Sequence, residues 1–160
     1  MKSDFWRGTV VCITGISGFV GAHLARRLVA LGARVWGVDR VLHGPCLRVH
    51  GLDPALVRVY PPRIYEGAVP DVVFHLAGLS HIRDAQAVPL RAWDTNVHLT
   101  YEVLEHCRLS WPTLHAVVVA EEQGIAVNVA VAMGTSGESL VLDPFDDVVV
   151  PVALIAHEIV

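Results

Sequence analysis

Three glycines within eight residues, Thr14-Gly15-Ile16-Ser17-Gly18-Phe19-Val20-Gly21, form the part of this sequence best suited to holding a ligand. In such a loop Gly15 permits a tight turn off a strand and Gly18 lets a phosphate approach the main chain. Gly21 lets the following helix lie close on the sheet. The free N–H groups and positive dipole end of that helix then face the anion. Asp39, at the end of the next strand-like run, has the charge and position to accept hydrogen bonds from both ribose hydroxyls and to repel a 2′-phosphate. Arg40 beside it could stack on an adenine or pair with such a phosphate. The expected chemistry is the holding of a dinucleotide, NAD in preference to NADP. The competing reading is a glycine turn without a ligand and a solvated strand-end carboxylate.

Positioning these groups requires a strand, a helix and a second strand. Residues 9–14 (TVVCIT) read as a buried strand. Residues 19–31 place Phe19, Val20, Leu24, Leu28 and Leu31 at helical spacing, and Gly32 stops the helix. Residues 34–38 (RVWGV) read as the second strand, parallel to the first through a right-handed crossover. Residues 47–50 (LRVH) are a weak third strand. Residues 54–65 are ambiguous because Pro61 and Pro62 interrupt them. Residues 71–76 (DVVFHL), 114–120 and 125–133 complete the strands as fourth, fifth and sixth. Residues 90–107 form a second helix, with Leu90, Trp93, Val97, Tyr101, Leu104 and Cys107 close to one face. Residues 148–160 could be strand or helix. The pattern predicts an α/β class, a three-layer Rossmann fold on a mostly parallel, doubly wound sheet. The expected strand order is 3-2-1-4-5-6, within one domain over 1–160.

Composition narrows the function. The 160 residues carry a net charge of −4, with no basic stripe, which argues against nucleic acid as a partner. Hydrophobic residues make up 53% and the mean hydropathy is +0.49. A sheet buried on both faces, or an uncovered interface, accounts for such values. No apolar run approaches the roughly 20 residues of a membrane span. Residues 1–7 lack the apolar core and cleavage site of a signal peptide. Cys12, Cys46 and Cys107 are odd in number and far apart, as expected of reduced thiols in a cytoplasmic protein. The nine histidines show no metal-ligand spacing and there is no CxxC, so no metal is expected.

With TGISGFVG at 14–21, GVDR at 37–40, GLDP at 51–54, PDVVFHLAG at 70–78 and Asn96 within DTNVHLTYEVLEHCR, the chain resembles the NAD-dependent epimerase/dehydratase family. These are the extended short-chain dehydrogenases that act on nucleotide sugars, and the 4,6-dehydratases look nearest. The likeness covers residues 9–120. It implies that Gly15, Ser17, Gly18, Phe19 and Val20 line a pyrophosphate and that Leu52 and Asp53 lie beside adenine. The family order at that second site is usually Asp-Leu. It further implies that Leu76, Ala77 and Gly78, followed by Ser80, wall the ribose and nicotinamide side, and that Asn96 ties the middle helix to the sheet. His75 reads as a packed strand-end residue in preference to a proton-transfer group.

After Ala120 the resemblance breaks. The family carries Ser/Thr residues at that strand end and then a Tyr-x-x-x-Lys helix. Here Glu121-Glu122-Gln123 follow, no Tyr occurs after Tyr101, and the single Lys is Lys2. Residues 121–138 resemble the family's next strand and 146–160 the segment beyond it. The expectation is an internal deletion after Ala120 with truncation after Val160; divergence is the alternative. Three functions compete: a cofactor-binding module without turnover, an active nucleotide-sugar epimerase or dehydratase with a substitute base such as His81, and a partner-dependent or non-functional remnant. No catalytic residue is assigned. Tyr60 and Tyr65 are expected on the adenine side. The apolar face around Trp93, Val97 and Leu104 predicts a homodimer or another protein partner.

Overall fold

The computed structural model describes residues 5–79, 82–119, 131–133 and 139–141. Its centre is β1 (Val10–Thr14), whose Val11, Cys12 and Ile13 are wholly buried. Strand β1 pairs in parallel with β2 (Arg34–Val38) on one side and β4 (Val72–His75) on the other. Strands β3 (Arg58–Tyr60) and β5 (Ala116–Val119) extend the sheet outward, also in parallel. The order is β3-β2-β1-β4-β5. It reverses at β1, so the crevice of a doubly wound sheet opens between the carboxyl ends of β1 and β4.

Side chains alternate along each strand, and both sets are apolar. Val11, Ile13, Val35, Val59, Val72, Phe74 and Val118 pack with Ala22, Ala25 and Leu28 of α1 (Phe19–Ala30). Cys12, Trp36, Val38, Val73 and Val117 face the opposite way, onto Val103 and Cys107 of α5 (Leu99–Ser110) and onto Trp111. Burial on both faces is what a parallel sheet requires, and it explains the high apolar content. Helix α1 ends as its sequence dictates. Gly32 takes φ +87°, and the Gly32 and Ala33 N–H groups bond back to the Val29 and Leu28 carbonyls at 2.9 and 3.0 Å.

Two sequence expectations fail near β3. Residues 47–50 are not a strand; Pro45–Val49 form a short helix, α2, with Pro45 in its first turn and Leu47 as its buried residue. A four-residue stretch with two apolar positions does not distinguish the two states, and Pro at the first helical position favours helix. The third strand is Arg58–Tyr60 at the sheet edge, where Pro61 ends the strand instead of excluding it.

The helix expected over 90–107 is present but interrupted. Short α3 (Ile82–Ala87) precedes it; α4 (Pro89–Trp93), a π turn (Asp94–His98) and α5 then run on without a break. The apolar face read from the sequence is covered only toward its C-terminal end. Leu90, Trp93, Val97 and Tyr101 are exposed, Leu90 at 85%, while Val103 and Cys107 are buried and Leu99 and Leu104 are partly covered. A sixth parallel strand is absent among the described residues. Val131–Met133 (β6) instead pairs antiparallel with Ser139–Val141 (β7) in a separate two-stranded sheet. The rest of the expected sixth strand, and residues 142–160, lie outside the described residues.

Gly37 sits mid-strand in β2, where a Cβ would come 2.5 Å from the Ile13 carbonyl oxygen and 2.7 Å from the Ile16 side chain. Backbone cannot yield there, so Gly37→Ala is expected to destabilise the fold by about 1–3 kcal/mol. Urea unfolding of the two chains checks this, and an unchanged midpoint would show that β1 and β2 are less tightly packed than described.

Candidate dinucleotide site

The glycine loop stands at the carboxyl edge of the sheet, between β1 and the N-terminus of α1. Gly15 has φ +75°, and a Cβ there would lie 2.8 Å from Ala77 N. Only glycine allows the two loops, after β1 and after β4, to touch in this way. Gly21 lies buried on the Gly15 carbonyl oxygen and on Ile16 Cα, which a Cβ would strike. Gly18 is the N-cap of α1, with no side-chain cap and no acid in the first helical turn. The helix therefore presents uncapped N–H groups and its positive dipole end at the crevice, beside exposed Phe19 and Val20.

Asp39 follows β2 at the same edge. Its Oδ2 accepts the Ser17 N–H at 2.9 Å and its Oδ1 accepts the Val41 N–H at 3.1 Å. The Ser17 hydroxyl donates to the Val41 carbonyl. The carboxylate thus anchors the glycine loop to the turn after β2, a role the sequence reading missed. Each carboxylate oxygen has further acceptor capacity for a ribose. Arg40 is exposed next to it.

The remaining residues named from the sequence are less uniform. Leu52 is packed in the core, and Asp53 Oδ1 accepts the Ala55 and Leu56 N–H groups at 2.9 and 3.1 Å, so both serve the turn after α2. Leu76 and Ala77 are half-buried and Gly78 exposed along the loop after β4. Asn96 holds that loop from the π turn: its Oδ1 accepts the Leu79 N–H at 2.6 Å and its Nδ2 donates to the Leu79 carbonyl at 3.2 Å. Ser80 and His81 lie outside the described residues, as does Lys2.

The three tyrosines lie on β3, in the stretch that follows it and on α5. Tyr60 ends β3 and donates to the Glu66 carbonyl at 3.3 Å. Tyr65 stacks on His106 at 4.2 Å and meets Trp111 edge-on, under α5. Burial pushes its phenol up to about 12, further from a working base. Tyr101 is exposed. Among the described residues no group of three or more His, Cys, Asp or Glu side chains could hold a metal ion.

His75, at the end of β4, is 2% exposed. Its Nδ1 lies 2.6 Å from Thr14 Oγ1 and its Nε2 lies 2.9 Å from Thr100 Oγ1. Burial lowers its pKa from 6.5 to about 4. The unfolded chain takes up this proton near pH 6.5 and the folded protein only near pH 4. Stability is therefore full above pH 6.5 and declines as pH falls through that window, by up to about 3 kcal/mol from this ring. His50 and His106 are also lowered, so the comparison with His75→Asn isolates the effect. Unfolding measured from pH 7.5 to 4.5 should show a shallower decline in the variant, and equal slopes would mean that the ring is not desolvated.

Comparison with known proteins agrees with this geometry. The chain matches the model of the NAD dependent epimerase/dehydratase family over residues 11–137. It is 32% identical over 115 residues to a probable dTDP-glucose 4,6-dehydratase of Sinorhizobium fredii, covering 65% of this chain and 33% of that protein. The Bordetella bronchiseptica enzyme WbmF, solved in complex with NADH, superposes with a TM-score of 0.62 at 27% identity, over 72% of this chain and 36% of that one. UDP-glucose 4-epimerase from Bifidobacterium longum shares the fold with a TM-score of 0.59 at 23% identity, over 71% and 37% of the two chains. The chain thus spans about a third of the length of these relatives. A parallel Rossmann sheet, a glycine loop at its switch point and the match over residues 11–137 lead to one conclusion: the chain belongs to the NAD-dependent epimerase/dehydratase family.

Proposed function

We propose that this chain is a Rossmann module that binds NAD(H) at the carboxyl edge of its sheet and does not by itself turn over a nucleotide sugar. The observation that carries the reading is the uncapped, acid-free first turn of α1, brought to the crevice by Gly15 and Gly21. The NADH bound by WbmF supports it. Gly15, Ser17, Gly18, Phe19, Val20 and Gly21 would hold the pyrophosphate. Asp39 and Arg40 would meet the adenosine ribose, and Leu76, Ala77, Gly78 and Ser80 would line the nicotinamide side. Leu52 and Asp53 would contribute beside adenine through the main chain of their turn, since their side chains are engaged elsewhere.

When bound, the nicotinamide supplies a hydride acceptor; this chain would supply position and charge. Hydride loss from a sugar carbon also requires its hydroxyl proton to leave, and general-base catalysis typically contributes about 10²–10⁴-fold. The described residues place no tyrosine or lysine for that task. A nucleotide sugar, such as the UDP-glucuronic acid in the complex of the similar protein MoeE5, is thus a ligand of relatives more than a substrate of this chain alone. An active enzyme using His81 as base is the second reading, and a remnant without cofactor the third.

Calorimetric titration is expected to show NAD binding more tightly than NADP, because the Asp39 carboxylate repels a 2′-phosphate. Equal or tighter NADP binding would mean that Arg40 dominates, and no binding of either would leave only the remnant. Assays with UDP-, GDP-, CDP- and dTDP-hexoses at saturating NAD should yield neither NADH nor 4-keto sugar. A rate lost in His81→Ala would establish the enzyme instead.

The exposed stripe of Leu90, Trp93, Val97 and Tyr101 supports self-association as a homodimer, or docking of another protein. The unpaired thiols Cys12, Cys46 and Cys107 fit a cytoplasmic setting, and no helix among the described residues is long and apolar enough to cross a membrane. Light scattering at micromolar protein should report a dimer or larger species. A clean monomer at high concentration would count against self-association through the stripe.

A further inference from the structure

We infer that His75 is a positioning residue for the crevice: its ring, held between Thr14 and Thr100, fixes the glycine loop against the Leu76–Leu79 loop that faces it. Only the identity of what the crevice holds rests on the dinucleotide reading. The positioning is a property of the free protein.

The hydrogen bonds admit one assignment. Thr100 Oγ1 lies 2.8 Å from the Asn96 carbonyl, which can only accept, so the Thr100 proton points there. Thr100 Oγ1 must then accept from His75 Nε2, at 2.9 Å, which places the ring proton on Nε2. His75 Nδ1 is left as an acceptor, and the Thr14 hydroxyl donates to it at 2.6 Å. Thr14 Oγ1 in turn accepts the Ala77 N–H at 3.2 Å. One directed chain runs from Ala77 through Thr14, His75 and Thr100 to the Asn96 carbonyl, and no donor in it is wasted.

This chain begins on the loop after β4 and ends on the π turn that holds that loop. Ala77 is its first donor, and Asn96, whose carbonyl is its last acceptor, holds Leu79 through both side-chain polar atoms. Thr14 directly precedes Gly15, whose missing Cβ makes room for Ala77 N. The two walls of the crevice therefore meet where His75 ties them. An aliphatic side chain could fill the volume of the ring, but it could not bridge two hydroxyls on opposite elements.

Thr100→Val removes the acceptor at nearly constant size, and Thr100→Ser keeps it. Amide hydrogen exchange followed by NMR is expected to show the Ala77 and Leu79 amides of Thr100→Val opening about tenfold faster than in the parent chain. The Cys12 and Val73 amides at the strand centres should be unchanged, and the serine variant should restore the parent pattern. His75→Leu, read in the same way, is expected to behave like the valine variant. Acceleration of all four amides together would mark a general structural role and overturn the inference, as would an unaltered Ala77 and Leu79. NADH affinity, read by fluorescence, should weaken about tenfold in Thr100→Val and return in Thr100→Ser. Equal affinity in the valine variant would also overturn it. If the parent chain takes no NADH while the amides respond as expected, the dinucleotide reading falls and the positioning role stands.

Discussion

The arrangement depends on a contact that exists only because two residues have no side chains. Gly21 of α1 lies on the Gly15 carbonyl oxygen, and Gly15 lies on the main chain at Ala77. A Cβ at either position would separate helix from strand, or strand end from strand end. With both absent, the α1 N-terminus, the end of β1 and the loop after β4 converge on a space small enough for main-chain N–H groups to surround an anion. The buried strands supply the rigid base for this approach. At the opposite edge Asp71 plays the corresponding part, accepting the Val10 N–H with its carboxylate at 2.8 Å and the His115 N–H with its carbonyl at 2.9 Å. Strands β1, β4 and β5 are thereby aligned at their starts.

The polar groups near the crevice serve the protein before they serve any ligand. The Asp39 carboxylate holds the Ser17 and Val41 N–H groups. A carboxylate held by two donors keeps its orientation, so its repulsion of a second anion does not depend on a mobile side chain. Asp53 is committed to its own turn. Buried polar groups need partners. In this fold they find them across elements, Thr14 with His75 and His75 with Thr100, which couples local pairing to the shape of the crevice.

What could be read from the sequence follows the range of the interactions. The β1–α1–β2 unit and its glycine loop are specified within about thirty residues, where turn, helix and strand signals lie side by side. The apolar run of β4 and the end of α1 at Gly32 are local in the same sense. Residues 47–50 were not readable because a stretch so short, with only Leu47 and Val49 apolar, suits a strand or a helix turn equally. The inward face of the long helix was legible only in part, through Leu104 and Cys107. Near the crevice that face carries Asn96 and Thr100, which answer the Leu79 main chain and His75, and only further on does it carry Val103 and Cys107. The apolar stripe at helical spacing takes in Leu90, Trp93, Val97 and Tyr101 beside Leu104 and Cys107, and the first four are exposed. His75 was legible as packed, but its partners stand 61 and 25 positions away, beyond any spacing argument.

Holding a dinucleotide and transforming a sugar draw on different kinds of groups. The first uses main-chain donors, absent Cβ atoms and one fixed carboxylate, which a strand–helix–strand unit and its neighbours generate from local sequence. The second needs a side-chain base whose pKa a nearby cation has brought toward neutrality. In this chain the first set is assembled on β1, α1, β2 and β4. The tyrosines present move away from the second: Tyr65 is raised to about 12 by burial under α5, and Tyr101 faces outward. The contacts that bring the glycine loop to the sheet edge also hold α1, β1 and the loop after β4 together, so losing them would cost the fold before it cost any reaction.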